Sequence, residues 1–172
     1  MASRIGLAEF SVEPLGPNHD RASFCCGVSA LDSYLQRQAG QDQTRNLAAV
    51  FVLTTDSKTI VGFYTLSAHS IQAAELPPGL AKNLPRFPLP VTLLGRMAVA
   101  QSQQGRGLGE FLLLHSMERA WRVSRQVASW AVIVDAKADA RNFYLKHDFL
   151  PLPAQPGRLF LPMRTIEKMF TA

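Results

Sequence analysis

The sequence has few cysteines and no long hydrophobic run, and both features narrow the class of protein. Its 172 residues include two cysteines, which are adjacent at Cys25 and Cys26. Neighbouring cysteines rarely satisfy disulfide geometry, so the chain has neither a disulfide framework nor a thiolate cluster for a metal. No apolar run approaches the roughly 20 residues that cross a bilayer. The opening stretch MASRIGLAEF has no leader-like apolar core, so we expect a cytoplasmic protein without membrane association.

Internal repeats and low-complexity tracts are also missing, and the composition is that of a folded globular chain. Apolar residues make up 47% of the sequence and charged residues 18%, which argues against disorder. The length favours a single domain, here expected to span residues 1–172. Lysine and arginine (18) exceed aspartate and glutamate (13), giving a net charge of +5. This excess suits a polyanionic substrate or partner, although many solvated surfaces are mildly basic.

Strand-like and helix-like segments alternate along the chain. After an extended N-terminal piece, Ser29 is positioned to cap a helix, with Asp32 as its partner in a capping-box variant. One face of this helix would contain Leu31, Tyr34, Leu35 and Gln38. The runs AAVFVL (48–53) and IVGFYTLSA (60–68) are rich in β-branched and aromatic residues and flank a polar turn, a pattern that predicts a hairpin. The next segment, ELPPGLAKNLPRFPLP, has five prolines in sixteen residues, so we expect a functional loop there.

The centre of the chain contains a strand, a glycine-rich turn, a helix and a second strand. The strands are VTLLGRMAV (91–99) and ASWAVIVDA (128–136), and the helix runs from about Leu108 to about Val123. A short helix containing ARNFYLKH and a last strand, RLFLPM, complete the pattern. This succession predicts a βαβ unit, and therefore an α/β fold with a parallel pair at the centre of an otherwise antiparallel sheet.

The glycine-rich turn QGRGLGEF has the composition of an anion-binding loop. A nucleotide triphosphatase loop requires Gly-Lys-Ser/Thr at its end, but Gly107 is followed by LGE. A dinucleotide-binding fingerprint requires glycine or alanine where Glu110 stands. The remaining use is a helix start whose N–H groups converge on a pyrophosphate, with Gly105, Gly107 and Gly109 allowing close approach and Arg106 adding charge. For this segment alone, a simple tight turn remains the alternative.

A wider pattern is similar to a known enzyme family. GRMAVAQSQQGRGLGEFLLLHSM resembles motif A of the GCN5-related N-acetyltransferases (GNAT), with Gln104, Gly107 and Gly109 at the motif positions. VDAKADARNFYLKHDFLPL resembles motif B of that family. Motif A would cover about 91–123 and motif B about 128–152. The resemblance implies a GNAT fold: one domain, a mixed central sheet with a splayed parallel pair at the coenzyme site, and flanking helices. It also implies acetyl-CoA as acetyl donor and no metal.

The resemblance assigns roles to particular residues. Backbone groups of the strand residues 97–99 would contact the pantetheine arm and the acetyl oxygen. Residues 104–109 would bind the pyrophosphate. The implied coenzyme-binding residues are Met97, Ala98, Val99, Gln104, Gly105, Arg106, Gly107, Leu108, Gly109 and Asn142. Tyr144 would give its phenolic proton to the leaving sulfur; without the resemblance, packing beside Phe143 would explain it. No general base stands out, since Glu110 and Asp135 both have structural explanations.

The similarity narrows to a subfamily over essentially the whole chain. The segments FCCGVSALDSYLQRQAGQDQ, IVGFYTLSA and LFLPMRTIEK resemble the acetyltransferase toxins of bacterial type II toxin-antitoxin modules. The resemblance implies acetylation of the α-amino group of aminoacyl-tRNA, which blocks translation. It also implies a ribbon-helix-helix antitoxin, operator DNA binding and transcription corepression through the antitoxin complex, and a homodimer.

Several cations are candidates for tRNA contact. Lys82 and Arg86 lie in the proline-rich loop, where cations suit phosphate contact. Arg96 lies in a buried-looking strand and requires either an internal ion pair or a substrate contact. Arg37 and Arg45 are better explained as solvated charge.

Two other functions stay open from the sequence. The chain could be a GNAT enzyme for small-molecule amines or protein N-termini. It could also be a non-catalytic module that binds coenzyme or serves as a corepressor.

The sequence departs from the family pattern at one position after motif B. Asp148 stands where the family usually has glycine, at a position that commonly takes a positive φ.

Overall fold

The computed structural model describes residues 9–171, so the first eight residues, on which most of the leader prediction rests, lie outside it. The strands are β1 (Ser11–Pro14), β2 (Ala49–Thr54), β3 (Gly62–Ile71), β4 (Leu89–Val99), β5 (Ala131–Asp135), β6 (Leu150–Leu152) and β7 (Gln155–Pro162). They form one sheet in the order β1-β2-β3-β4-β5-β7-β6. Within the described range, no helix has the length and apolar content needed to cross a bilayer.

The sheet is mixed. β4 and β5 run parallel, with Val91–Leu94 opposite Ala131–Val134, whereas the pairs β1–β2, β2–β3, β5–β7 and β6–β7 are antiparallel. The first four residues of β5 are buried, as expected for a strand covered on both faces. The parallel pairing ends at Leu94 while β4 continues to Val99. The predicted α/β fold class, hairpin and central parallel pair are confirmed.

Six α-helices occur among the described residues: α1 (Ser29–Ser33), α2 (Ala39–Thr44), α3 (Pro78–Ala81), α4 (Leu108–Ser124), α5 (Arg141–Lys146) and α6 (Met163–Thr171). α4 agrees closely with its prediction because its apolar residues repeat with helical period. Leu108, Leu112, Leu113, Met117 and Ala120 are all buried.

The first helix begins differently from its prediction. Val28, not Ser29, is the N-cap residue, and no side chain caps this helix. The Asp32 carboxylate instead accepts the Cys26 N–H at 2.7 Å, so the capping-box prediction is wrong. A π-helical turn, Tyr34–Gln38, then joins α1 to α2. Because a π-turn inserts an extra residue, the buried face passes from Tyr34 and Leu35 to Ala39 and leaves Gln38 exposed.

Contacts between residues divide the chain into two compact units, and the first includes the residues up to Leu66 together with Arg96–Ser116. Its core surrounds Phe63, which is fully buried. The Phe24 ring meets Phe63 edge-on at 5.5 Å between centroids, and the Tyr34 ring stacks on it at 6.4 Å.

The second unit includes Ser67–Gly95 and the residues from Met117 onward. Its core contains Val91, Ala131, Ile133 and Phe160. Sequence reasoning correctly predicted a strand ending near residue 162 but placed Met163 in it, whereas Met163 begins α6. It also missed β6 and the whole of α6. The latter buries Met163 and Ile166, which alone give too short an apolar pattern to predict a helix.

Gly62 is a packing glycine that the sequence did not reveal. A Cβ on Gly62 would lie 2.8 Å from Leu112 Cδ1 and 2.9 Å from the Ala98 carbonyl oxygen. We therefore expect Gly62→Ala to lower the free energy of unfolding by about 1–3 kcal/mol through overpacking, as measured by urea denaturation. Gly79→Ala is the control, because nothing lies within 4 Å of a Cβ there; equal stability of the two variants would contradict this account.

Candidate active site

The turn before α4 requires glycine at two positions. Gly105 and Gly107 have φ of +79° and +80°, a region that side chains other than glycine enter at a steric cost. A Cβ on Gly105, Gly107 or Gly109 would meet nothing within 4 Å. These glycines are therefore not explained by internal packing, and the space in front of them is open to a ligand.

The same turn presents unpaired backbone donors. Among the described residues, the N–H groups of 105–110 donate to no backbone carbonyl; the first such bond runs from Phe111 N–H to the Gly107 oxygen at 3.1 Å. The 17-residue helix α4 begins here, so its dipole adds positive potential at these N–H groups. The open space, the free donors and the helix start together fit a pyrophosphate.

Gln104 and Arg106 frame this turn. The Gln104 amide donates to the Cys26 oxygen at 2.8 Å and to the Val99 oxygen at 3.0 Å. Its side chain thus ties the turn to the end of β4 rather than extending toward a ligand. Arg106 is exposed and donates to the Gln103 side-chain oxygen. We infer that Gln104 positions the turn, whereas Arg106 supplies charge.

The predicted pantetheine-binding residues form the last part of β4. Ala98 is buried, while Met97 and Val99 are half-buried. These residues lie beyond Leu94, where the parallel pairing with β5 ends. The chain continues from Val99 through a short 3₁₀ turn, Gln101–Gln103, into the glycine turn.

Tyr144 lies on α5 in an apolar environment. The side chain is 9% exposed, and its ring meets those of Phe143 and Phe149 edge-on at 5.2 and 5.5 Å. Burial raises the pKa of its phenol to about 12. Within residues 9–171 the hydroxyl has no hydrogen-bond partner, so its proton is available. Asn142, on the same short helix, is exposed.

The backbone after α5 helps to fix Tyr144. Asp148 has φ of +70°, which confirms that this position takes the conformation glycine usually supplies. The reversal lets the Phe149 N–H donate to the backbone carbonyl oxygen of Tyr144 at 3.2 Å, and the Phe149 ring packs against the tyrosine ring. Aspartate tolerates this conformation better than most residues.

The acidic and histidine side chains offer no obvious base. Asp135 accepts two hydrogen bonds from Arg158, at 2.6 and 3.0 Å, and is therefore committed to an ion pair. Glu110 is exposed in the first turn of α4. His69 contacts Arg158 at 3.3 Å and His115 bonds Tyr64 at 2.9 Å. Within residues 9–171, no cluster of side chains suitable for a metal ion occurs.

Arg96 has a partner that the sequence did not predict. Its side chain is exposed rather than buried, and its guanidinium lies 3.7 Å above the Tyr34 ring centroid. No carboxylate among the described residues forms an ion pair with it. Of the two alternatives that the sequence left open for Arg96, the internal ion pair is therefore wrong, and the Tyr34 ring instead contacts the face of the guanidinium. Because Arg96 is exposed, its guanidinium is accessible to a substrate.

The proline-rich segment presents cations and an aromatic ring. It contains α3, after which Lys82 and Arg86 are both exposed. Phe87 is 68% exposed, although a phenylalanine is usually buried. Sequence reasoning missed Phe87; the signal was an aromatic residue between Arg86 and Pro88 in a loop. Cations beside an exposed ring are typical of surfaces that contact unpaired nucleotides.

A mixed α/β sheet with an open turn and free N–H groups at the start of a helix is the arrangement expected of an enzyme that binds a phosphorylated coenzyme. The sequence pattern of the acetyltransferase (GNAT) domain family matches residues 46–151. The chain belongs to this family and is an acetyl-CoA-dependent N-acetyltransferase.

Two relatives extend the match to nearly the whole chain. A protein of Sinorhizobium fredii (strain NBRC 101917 / NGR234), described as probable toxin TacT, is 32% identical over 97% of this chain and 98% of its own length. The tRNA-acetylating toxin of Mycobacterium tuberculosis (strain ATCC 25618 / H37Rv) is 37% identical over 84% of this chain and 87% of its own.

Solved structures of toxins are also similar to this chain over most of its length. The toxin AtaT in complex with acetyl-methionyl-tRNAfMet has a TM-score of 0.87 at 30% identity, covering 94% of this chain and 99% of that one. A mutant AtaT bound to the C-terminus of the antitoxin AtaR and acetyl-CoA has a TM-score of 0.82 at 26% identity, covering 95% and 99%. The KacTA–DNA complex has a TM-score of 0.80 at 28% identity, covering 94% and 98%.

Proposed function

We propose that this acetyltransferase is the toxin of a type II toxin-antitoxin module and acetylates the α-amino group of aminoacyl-tRNA. The observation that carries the proposal is the extent of the similarity to tRNA-acetylating toxins. For one relative it covers 97% of this chain and for the other 84%, and is therefore not confined to the coenzyme motif. Acetylation would deprive charged tRNA of the nucleophile used in peptide-bond formation, and translation would stop in the cytoplasm, where we place the protein.

The residues of the glycine turn would hold the coenzyme. The free N–H groups of 105–110 and the Arg106 guanidinium would bind the pyrophosphate, with Gln104 keeping the turn in place. Backbone groups of Met97, Ala98 and Val99 would bind the pantetheine arm, and Asn142 would contribute a further contact. When bound, acetyl-CoA supplies a thioester whose carbonyl carbon accepts the amine.

Tyr144 would act on the leaving sulfur. In the overall reaction the amine nitrogen gains the acetyl carbon and loses one proton, while the departing sulfur takes up one proton. Because burial raises the pKa of Tyr144 to about 12, the phenol is protonated near neutral pH and is a secure hydrogen-bond donor. A thiol has a pKa of about 8.5, so the phenol stabilises negative charge on sulfur by donating as the carbon–sulfur bond breaks.

We expect the reaction with charged tRNA to speed up with rising pH and then reach a plateau. Peptide α-amino groups have a pKa of about 7.7–8.0, and an ester lowers it, so much of the amine is neutral without a general base. Tyr144, with a pKa raised to about 12, would stay protonated throughout. Initial kcat/KM values between about pH 6 and pH 9 test this prediction. A descending limb in that range would show that the donor is not a neutral phenol with this pKa.

Lys82, Arg86 and Arg96 would contact the tRNA. All three are exposed, and no carboxylate among the described residues pairs with them.

We also propose a ribbon-helix-helix antitoxin as partner. Operator DNA would be bound, and transcription corepressed, only through the complex with that antitoxin. A homodimer is proposed on the resemblance to the subfamily, and light scattering on the purified protein would test it.

Transfer of labelled acetyl from acetyl-CoA to a pool of charged bacterial tRNAs tests the proposal. Label on particular aminoacyl-tRNAs supports it and identifies the target. If the protein binds acetyl-CoA but leaves every charged tRNA unlabelled, the substrate assignment is wrong. Small amines and protein N-termini would then be the substrates to examine.

A further inference from the structure

The first compact unit has a surface cavity with three arginines, which we name the arginine cavity. It has a volume of about 460 Å³. Its lining residues are Arg21, Arg37, Gly40, Gln41, Thr44 and Arg45. None of them belongs to the coenzyme turn or to the proline-rich segment.

Two parts of the chain bring these arginines together, a loop and the continuous helical segment that runs from α1 through the π-turn to the end of α2. Arg21 precedes α1, Arg37 lies in the π-turn and Arg45 follows α2. Arg21 packs against Gly40, where a Cβ would overlap the Arg21 Nη1 atom. The absence of a side chain at Gly40 therefore allows the Arg21 guanidinium to lie against the helix.

The three positive charges are not neutralised internally. Within residues 9–171, no carboxylate forms an ion pair with Arg21, Arg37 or Arg45. The neighbouring Asp42 is already engaged, because it accepts the Tyr34 hydroxyl at 2.9 Å and the Gln38 amide at 3.0 Å. The C-terminal carbonyls of α2 offset part of the charge near Arg45. Like charges sharing one cavity repel each other, and an anion placed among them would relieve that repulsion.

We infer that the arginine cavity binds a backbone phosphate of the tRNA substrate, an inference that rests on the proposed function. Guanidinium groups hold phosphate oxygens through paired, directional hydrogen bonds. The other lining groups, the Gln41 amide and the Thr44 hydroxyl, are also polar. No residue with a hydrophobic side chain lines the cavity, whereas protein partners usually bury aromatic or aliphatic anchor residues at their contact sites, and this favours nucleic acid over a protein segment.

The test compares two charge-matched double variants and one variant that keeps every charge. Arg37→Gln with Arg45→Gln removes two charges from the arginine cavity, and Arg164→Gln with Lys168→Gln removes two exposed charges from α6. Gly40→Ala displaces the Arg21 guanidinium while improving helix propensity, so this variant is expected to fold normally. Circular dichroism melting curves check that all three variants are folded.

Binding of uncharged tRNA as a function of NaCl concentration is the direct measurement. Each lost phosphate contact lowers the slope of log K against log salt by about 0.7–0.9. We expect the Arg37/Arg45 variant to bind more than about tenfold more weakly at 0.1 M salt, with a slope smaller in magnitude by about 0.7–0.9, as for the loss of one phosphate contact. Gly40→Ala should weaken binding by about threefold to fivefold. A slope equal to that of the Arg164/Lys168 control overturns the inference.

Acetylation assays separate this inference from the proposed function. The Arg37/Arg45 variant should raise KM for charged tRNA while leaving acetylation of an aminoacyl-adenosine ester, which lacks the stem, unchanged. If the unaltered protein acetylates neither substrate, the proposed function fails, and the salt slope still reports on the cavity. If tRNA binding is unchanged but antitoxin binding is weakened, the cavity serves an acidic protein segment and the inference is wrong.

Discussion

Replacing Tyr144 by phenylalanine is expected to lower kcat for charged tRNA by about 10²- to 10³-fold, within the range for loss of one proton donor. The ring, which packs against Phe143 and Phe149, is retained, so the fold and acetyl-CoA affinity should stay intact. The loss falls on kcat because the hydroxyl acts on charge that develops only as the carbon–sulfur bond breaks. Single-turnover rates and calorimetric binding of acetyl-CoA measure the two quantities separately.

Tyr64→Phe is the matched control for this change. Its hydroxyl lies 2.9 Å from His115 Nδ1, so its removal also deletes a buried hydroxyl and costs about 1 kcal/mol of stability. Its kcat should remain within about twofold of the original value, since no role in the reaction is assigned to it. Should Tyr144→Phe behave like Tyr64→Phe, packing alone would explain Tyr144, and the alternative that the sequence left open would be correct.

The sequence predicted those parts of the site that depend on local backbone chemistry. The spacing of Gly105 and Gly107 before an amphipathic run was enough to place a turn and the start of α4, because positive φ and helical period are local properties. The positive φ of Asp148 was instead indicated by the resemblance, because the family usually has glycine at this position. The roles of Tyr144 and of residues 97–99 came from resemblance, since no local pattern distinguishes a catalytic tyrosine from a packed one.

Features that depend on distant parts of the chain were not predictable. Arg96 was expected to form an internal ion pair or a substrate contact, but the Tyr34 ring, on a π-turn that no periodicity indicated, lies against its guanidinium. That same turn places Arg37 in one cavity with Arg21 and Arg45, although from the sequence Arg37 and Arg45 were better explained as solvated charge. Gly62 likewise acquires its importance from Leu112, fifty residues away in sequence.

The second large effect is expected at the glycine turn, where Gly107→Ala should weaken acetyl-CoA binding by about 100-fold. At φ of +80° an alanine costs about 1–2 kcal/mol, and the turn would relax by moving the N–H groups of residues 107 and 108. Loss of two hydrogen bonds to a charged group, at about 1.5 kcal/mol each, corresponds to this change in Kd. Calorimetry with acetyl-CoA gives the value directly.

Alanine variants at two other glycines distinguish an affinity loss caused by backbone strain from one caused by contact with the ligand. Gly109 has no positive φ, and a Cβ there meets nothing within 4 Å, so Gly109→Ala should not lower the unfolding temperature. If the pyrophosphate lies against the turn, however, the added methyl group occupies its space, and affinity should still fall. Gly79→Ala, also unhindered but on α3, should change neither property. Unaltered acetyl-CoA affinity in both Gly107→Ala and Gly109→Ala would reduce this segment to a tight turn, and the free N–H groups at the start of α4 would need another ligand.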